Sequence, residues 1–246
     1  MFKSLSLKVI IFGFIFTFFS SFGQSFFLGL FNSSIREALS ISHGQFGSIY
    51  ASATLLSSIV LVWIGKKIDD VNILKFASYV IIFLSASCFI FSKISSIICL
   101  FIGIFLMRLA GQGLSSHTAT TTISRFFEKN RGRALSTGWL GLSLAEFTLP
   151  VLTVFLLTFI EWRDIWFSIS ILVIIILPII SYVLVKDVKL ETREKSSVSE
   201  NTKEIRQWKR IEVLKDYRFY IISITMLAMP WIATGSFVYQ SFITTS

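Results

Sequence analysis

Residues 96 to 123 read Ser96-Ile-Ile-Cys99-Leu-Phe-Ile-Gly-Ile-Phe-Leu-Met-Arg108-Leu-Ala-Gly111-Gln112-Gly113-Leu-Ser-Ser-His117-Thr-Ala-Thr-Thr-Thr-Ile123, and a single charge, Arg108, interrupts the run. About 20 mostly apolar residues suffice for an α-helix to cross roughly 30 Å of hydrocarbon. Working outward, six further runs of that kind lie at about 9 to 31, 45 to 64, 75 to 92, 135 to 160, 165 to 185 and 219 to 241. With 54% hydrophobic and 15% charged residues, the chain lacks the surface of a water-soluble protein. The expected fold is therefore an all-α membrane protein of seven spans. The first run is too long for a signal-peptide core and is followed by no A-x-A site, so it counts as a span. Cys88 and Cys99 both sit inside apolar runs and give neither a disulfide framework nor metal-ligand spacing. No cofactor and no metal are expected.

The formal charge of +9 would point to nucleic acid in a soluble chain, but here the basic residues alternate with membrane spans. With the N-terminus in the cytoplasm, 19 of the 23 Lys and Arg residues fall on cytoplasmic segments. Outer loops hold only Arg36, Lys93 and Arg163. The positive-inside rule sets this orientation, excludes a nucleic-acid partner and implies a multi-pass protein of the plasma (inner) membrane in contact with lipid. Residues 1–185 form a six-helix bundle, 186–218 a basic cytoplasmic linker, and 219–246 a seventh span. Within the linker, from Glu204 to Tyr217, Ile205, Trp208, Ile211 and Val213 or Leu214 recur near helical spacing among basic residues, which fits either a short interfacial helix or a solvated tether. Cysteines placed at Ser42 and Ser197, in a background without Cys88 and Cys99, are expected to label from opposite sides with an impermeant thiol reagent. Labelling of both from outside would overturn the topology.

Ser25-Phe26, Phe31 and Ser33-Ser34 in the first span align without gaps to Ser236-Phe237, Phe242 and Thr244-Thr245 near the seventh, so the seventh reads as the start of a second copy. Between the second and third spans stands Gly65-Lys66-Lys67-Ile68-Asp69, a G-x-x-x-D on the cytoplasmic side. It resembles the signature loop of the major facilitator superfamily, with Asp70 and Asn72 where a basic residue and a glycine usually follow. Arg108-Leu-Ala-Gly111-Gln112-Gly113 is similar to the superfamily's R-x-x-(Q)-G element. The series Arg108, Gln112, His117, Arg125-Phe126-Phe127, Arg131-Gly132-Arg133-Ala134, Gly141, Glu146 and Pro150, with Trp162-Arg163, looks like its monocarboxylate-porter-like branch. The resemblance spans the whole chain. It implies a six-helix N-terminal bundle followed by the first helix of a second half, and secondary transport of a small-molecule substrate.

The residues themselves point the same way. Arg108 and Glu146 both fall near the bilayer midplane, where a charge on a helix costs at least roughly 2.5 kcal/mol if it faces lipid. Arg108 opens a stripe with Gln112, Ser115, Thr118 and Thr122 on one helical face, either the wall of a wet cavity or a set of small hydroxyls bonded to their own helix backbone. An arginine fork holds a carboxylate through two parallel bonds, so an organic anion is the expected substrate. Glu146 is either the counter-ion of the empty site, a proton carrier, or half of a permanent bridge to Arg108. His117 is a second candidate for proton coupling. Gln24, with Ser20 and Thr17 before it, offers a second polar wall. In the seventh span Trp231, Thr234 and Tyr239 stand near Pro230. Gly65 and Asp69 are expected to form a conformational latch, with Asp69 meeting the N-terminus of the fifth span. Gly47 and Ala51, and Gly141 and Ala145, have the small-xxx-small spacing of close helix contacts.

A nucleotide-driven pump and a membrane protease both lack their motifs here: there is no G-x-x-x-x-G-K-[ST], G-x-S-x-G or H-E-x-x-H, so no enzymatic activity is expected. The competing class is a non-transporting seven-helix receptor or scaffold. Because a carrier of this plan needs two halves, the chain is expected to be an incomplete carrier, requiring a second six-helix half or a second copy. By itself it is expected not to transport, and its seventh span to sit loosely.

Overall fold

In a computed structural model of the chain, residues 4–127, 129–188 and 210–239 are described, with residues 69, 210, 211 and 229 described by backbone alone. Among them, seven helices are long and apolar enough to cross a membrane, and no strand occurs. Spans one to seven are Ser4–Gly29, His43–Ile68, Ile73–Ser92, Ile97–Phe126, Arg131–Leu157, Trp162–Val185 and Tyr217–Val238. Several begin where a side chain caps the orphan amides of the first turn. Ser42 and Gln45 form a reciprocal capping box at span two. Asn72, Ser96 and Asp216 accept from Leu74, Cys99 and Arg218 amides at spans three, four and seven.

Pairing of the spans follows their small residues. Span one packs along span five, span two against span four, and span three along span six. Exchanging one with four, two with five and three with six maps this pairing onto itself, as expected of two inverted groups of three helices. The Thr17 hydroxyl lies 2.7 Å from the Gly138 carbonyl and 2.9 Å from that of Phe14, donating across the contact of spans one and five. Ser85 donates to the Ser170 carbonyl between three and six. Of the two small-residue pairs, Gly141 and Ala145 are buried against span one as expected. Gly47 and Ala51 are not a helix contact: Ala51 is exposed, and the Tyr239 hydroxyl fills the space beside Gly47.

Two spans depart from regular α-helix along their length. Span one is helical over Ser4–Ser20, tightens over Ser21–Gly23, runs extended at Gln24 and restarts over Ser25–Gly29. Span four widens into a π segment over Arg108–Ser115. On the outer side a fully buried Trp166 packs edge-on against Phe27 and tilted against Phe31 and Phe91, with centroids 4.7–5.3 Å apart. Such rings supply the core where the helices splay. Span seven docks only by its outer end. Asn32 donates to the Val238 carbonyl and accepts from Arg36, Phe26 meets Phe237 at 6.2 Å, and Gly29 abuts the Phe237 backbone. Its remaining length is largely exposed, Trp231 by 80%. The expectation of a loose seventh span thus fits its inner portion, while its outer end is tied by named contacts. Most of the linker, residues 189–209, lies outside the described residues, as do Phe242, Thr244 and Thr245 of the repeat; the far end of the stretch read as a short interfacial helix is helical over Arg210–Lys215.

Candidate functional site

The break in span one and the π segment of span four meet. At their crossing Gly23 lies against Gly111 and the Gln112 amide. A broken helix leaves carbonyls without intrahelical donors, which is unsustainable in hydrocarbon unless another group supplies hydrogens. Arg108 does so: its Nη1 donates to the Gly23 carbonyl at 3.1 Å and to Ser25 Oγ at 3.3 Å. The guanidinium carbon lies 5.4 Å from the centroid of the Tyr50 ring, a cation–π distance. Tyr50 Oη donates to Ser25 Oγ at 2.9 Å, and Ser25 lies 3.5 Å from Thr234 Oγ1 of span seven. A hydroxyl has one hydrogen and two lone pairs, so Ser25 accepts from Arg108 and Tyr50 and donates to Thr234. Four spans therefore converge on one serine.

Arg108 is only 6% exposed, and its buried Nε has no hydrogen-bond partner. No carboxylate pairs with it among the described residues; Lys8 and Asp187 form an ion pair at 3.6 Å on the cytoplasmic edge. A permanent Arg108–Glu146 bridge is absent. Glu146 is exposed on span five, turned off the face that Gly141, Ala145 and Leu149 bury against span one. Gln24 and Gln112 are half-buried at the level of the break, and no side-chain hydrogen bond ties either down.

Of the two readings of the stripe, its lower part follows the second. Ser115, Thr118 and Thr122 are buried, and each donates to its own helix, to the carbonyls of Ala110, Leu114 and Thr118. They do not line a wet wall with Gln112. The π turn is the reason: Ser115 bonds five residues back, and the extra residue rotates Gln112 away from the face that the later hydroxyls share.

On the cytoplasmic side His117 and Gly65, predicted for separate roles, are brought together. His117 Nε2 donates to the Gly65 carbonyl at 3.0 Å, at the end of span two where a donor relieves the unsatisfied carbonyls. Arg125 Nη1 donates to Ile68 in the same turn at 3.3 Å. The loop is thus held from span four. The Asp69 side chain, expected to reach span five, lies outside the described residues.

A sequence profile of the Major Facilitator Superfamily matches residues 13–245. The chain belongs to the major facilitator superfamily. No curated protein and no solved structure matches it. The paired helix break brings freed backbone and a buried cation together inside the spans. Tyr50 and Ser25 escaped the sequence reading as site residues, whereas Thr234 was among the span-seven residues it named. Tyr50 gave one signal, an aromatic hydroxyl in mid-span four residues after Phe46. Ser25 gave none beyond its place in the repeat.

Proposed function

We propose that this major facilitator transporter carries a small organic anion, a carboxylate, in the monocarboxylate-porter-like manner, and that Arg108 is its anchor. The observation supporting this is the burial of a permanent cation with no carboxylate beside it and an Nε aimed at no acceptor. A buried charge is costly unless paired, so the empty site is poised for an anion to complete it. Gln24 and Gln112 border the approach and would hydrogen-bond the same ligand. Glu146, facing away from Arg108, suits proton carriage or contact with a further helix rather than service as counter-ion. Its exposed position in a span needs cover by protein or water. His117 on the Gly65 carbonyl suits a proton-sensitive part of the cytoplasmic latch of Gly65 and Asp69.

The opposing cavity wall is assigned to a second six-helix half or a second copy. Supporting this are the bare faces of spans five and seven, with Phe147 79% exposed, and the contact of the aligned residues Phe26 and Phe237. Residues equivalent under a two-fold axis meet where the axis passes between their helices. The protein is read as a plasma-membrane carrier without enzymatic activity.

Binding is tested by thermal stabilisation in detergent with a panel of small carboxylates and their uncharged amides. Saturating carboxylate at 100 times its Kd should add about 2.7 kcal/mol of stability. Equal stabilisation by the amides would sink the anionic reading. Counterflow of the labelled carboxylate in proteoliposomes then separates a carrier from a receptor or scaffold.

A further inference from the structure

A second concavity, with a volume of about 350 Å³, lies apart from Arg108, between spans two, three and four at the cytoplasmic end. Its walls are Ile64, Lys67 and Val71 from span two and its turn, Phe76, Tyr79, Val80 and Phe83 from span three, and Leu114 from span four. The four span-three residues stand at i, i+3, i+4 and i+7, one continuous helical stripe. From the start of span three to Phe83 the rise is about 15 Å, half of a hydrocarbon core of about 30 Å. The groove therefore runs the depth of one leaflet. It opens sideways past Tyr79, which is 66% exposed, and so faces lipid rather than the inner site.

Among the described residues one charge lines it: Lys67, exposed in the turn at the cytoplasmic mouth, with Lys66, Asp70 and Lys75 exposed nearby. An apolar slot one leaflet deep, topped by a cation on the side where the leaflet carries anionic headgroups, has the chemistry of a phospholipid. We propose that this groove binds an anionic phospholipid, one acyl chain along Phe76, Val80 and Phe83 and its phosphate at Lys67. Tyr79 stands where its ring packs on the chain and its hydroxyl reaches the ester region. A second copy of the protein is the poorer occupant, since a two-fold contact here would bring the lysines of two identical loops together. The site lies in the same turn as Gly65, whose carbonyl His117 holds, so the bound headgroup adds negative charge beside the lysines of the cytoplasmic latch.

The test is native mass spectrometry of the whole chain in detergent. Phosphatidylglycerol and phosphatidylcholine of the same acyl chains are added in equal amounts. The parent should retain the anionic lipid over the zwitterionic one about fivefold, the worth of one lysine near a phosphate. Lys67→Gln should abolish that preference, Lys67→Arg should keep it, and Lys75→Gln, off the groove, should leave it unchanged. Val71→Trp, filling the mouth from a half-buried position, should lower retention of both lipids. Equal retention of the two lipids by the parent, or a preference that survives Lys67→Gln, would overturn the proposal. So would a dimer that Val71→Trp breaks while lipid counts stay constant, because a second copy would then occupy the groove.

Discussion

Arg108→Gln is expected to leave the protein folded and to remove anion binding, by on the order of 10²-fold or more. Two effects decide the sign on stability. The substitution loses hydrogen bonds to Gly23 and Ser25, worth about 1 to 3 kcal/mol for a charged donor. It also relieves the burial of a cation with no carboxylate beside it, a penalty of several kcal/mol. The fold should therefore change little, while a ligand that relied on the fork loses about 3 kcal/mol. Arg108→Lys keeps the charge but not the planar pair of donors, and should lose most of the binding as well. Carboxylate-dependent thermal stabilisation of both variants against the parent reads this directly. If Arg108→Gln fails to fold, the residue is a structural clamp on the span-one break. If Arg108→Gln together with Glu146→Gln folds and binds as the parent does, neither charge belongs to the site.

How much of this could be read in the sequence follows from what kind of information each feature carries. Spans and orientation are linear properties: runs of apolar residues and the placement of lysines fix them without reference to packing, and the structure has helices at all seven places. The helix ends moved by a few residues because caps such as Ser42, Asn72 and Asp216 decide them, and a hydropathy window does not see caps. The break at Gln24 had no proline to announce it; it exists because Arg108, far along the chain, supplies the hydrogen bond that the broken helix lacks. Pro150, Pro178 and Pro230, the residues that usually announce a break, sit inside continuous helices. The stripe below Arg108 failed for a related reason. Its spacing assumed 3.6 residues per turn throughout, and the π segment over Arg108–Ser115 shifts the register partway down. Arg108 itself was legible because a charge in a membrane span is rare enough to need a reason. Its companions Ser25 and Tyr50 were not, because they are ordinary residues made special by convergence of four spans, and Thr234 was named only as part of the seventh span.

Gly141→Ala is expected to be among the most damaging single-methyl changes in the bundle. A Cβ there would lie 2.5 Å from Thr17 Oγ1 and 2.8 Å from the Phe14 carbonyl carbon, and would press on the Phe14 carbonyl oxygen. Backbone of span one cannot step aside as a flexible side chain would, and the Thr17 hydroxyl is already committed to Gly138. Overpacking of this kind costs about 3 kcal/mol, or roughly 6 to 12 °C in melting temperature for a chain of this size. Gly132→Ala is the control: its Cβ would meet nothing within 4 Å, and the gain in helix propensity should make it neutral or slightly stabilising. The same logic reaches the site through the Gly23 and Gly111 crossing, where a Cβ on Gly111 would lie 2.6 Å from the Gly23 amide nitrogen. Gly111→Ala must push the two spans apart at the break and so carry the Gly23 carbonyl away from Arg108 Nη1. It should therefore lose anion binding and stability together, whereas Gly141→Ala, at the contact of spans one and five, should lose stability while the molecules that remain folded bind normally. If Gly111→Ala melts and binds as the parent does, the close crossing of spans one and four is not what holds Arg108 in place.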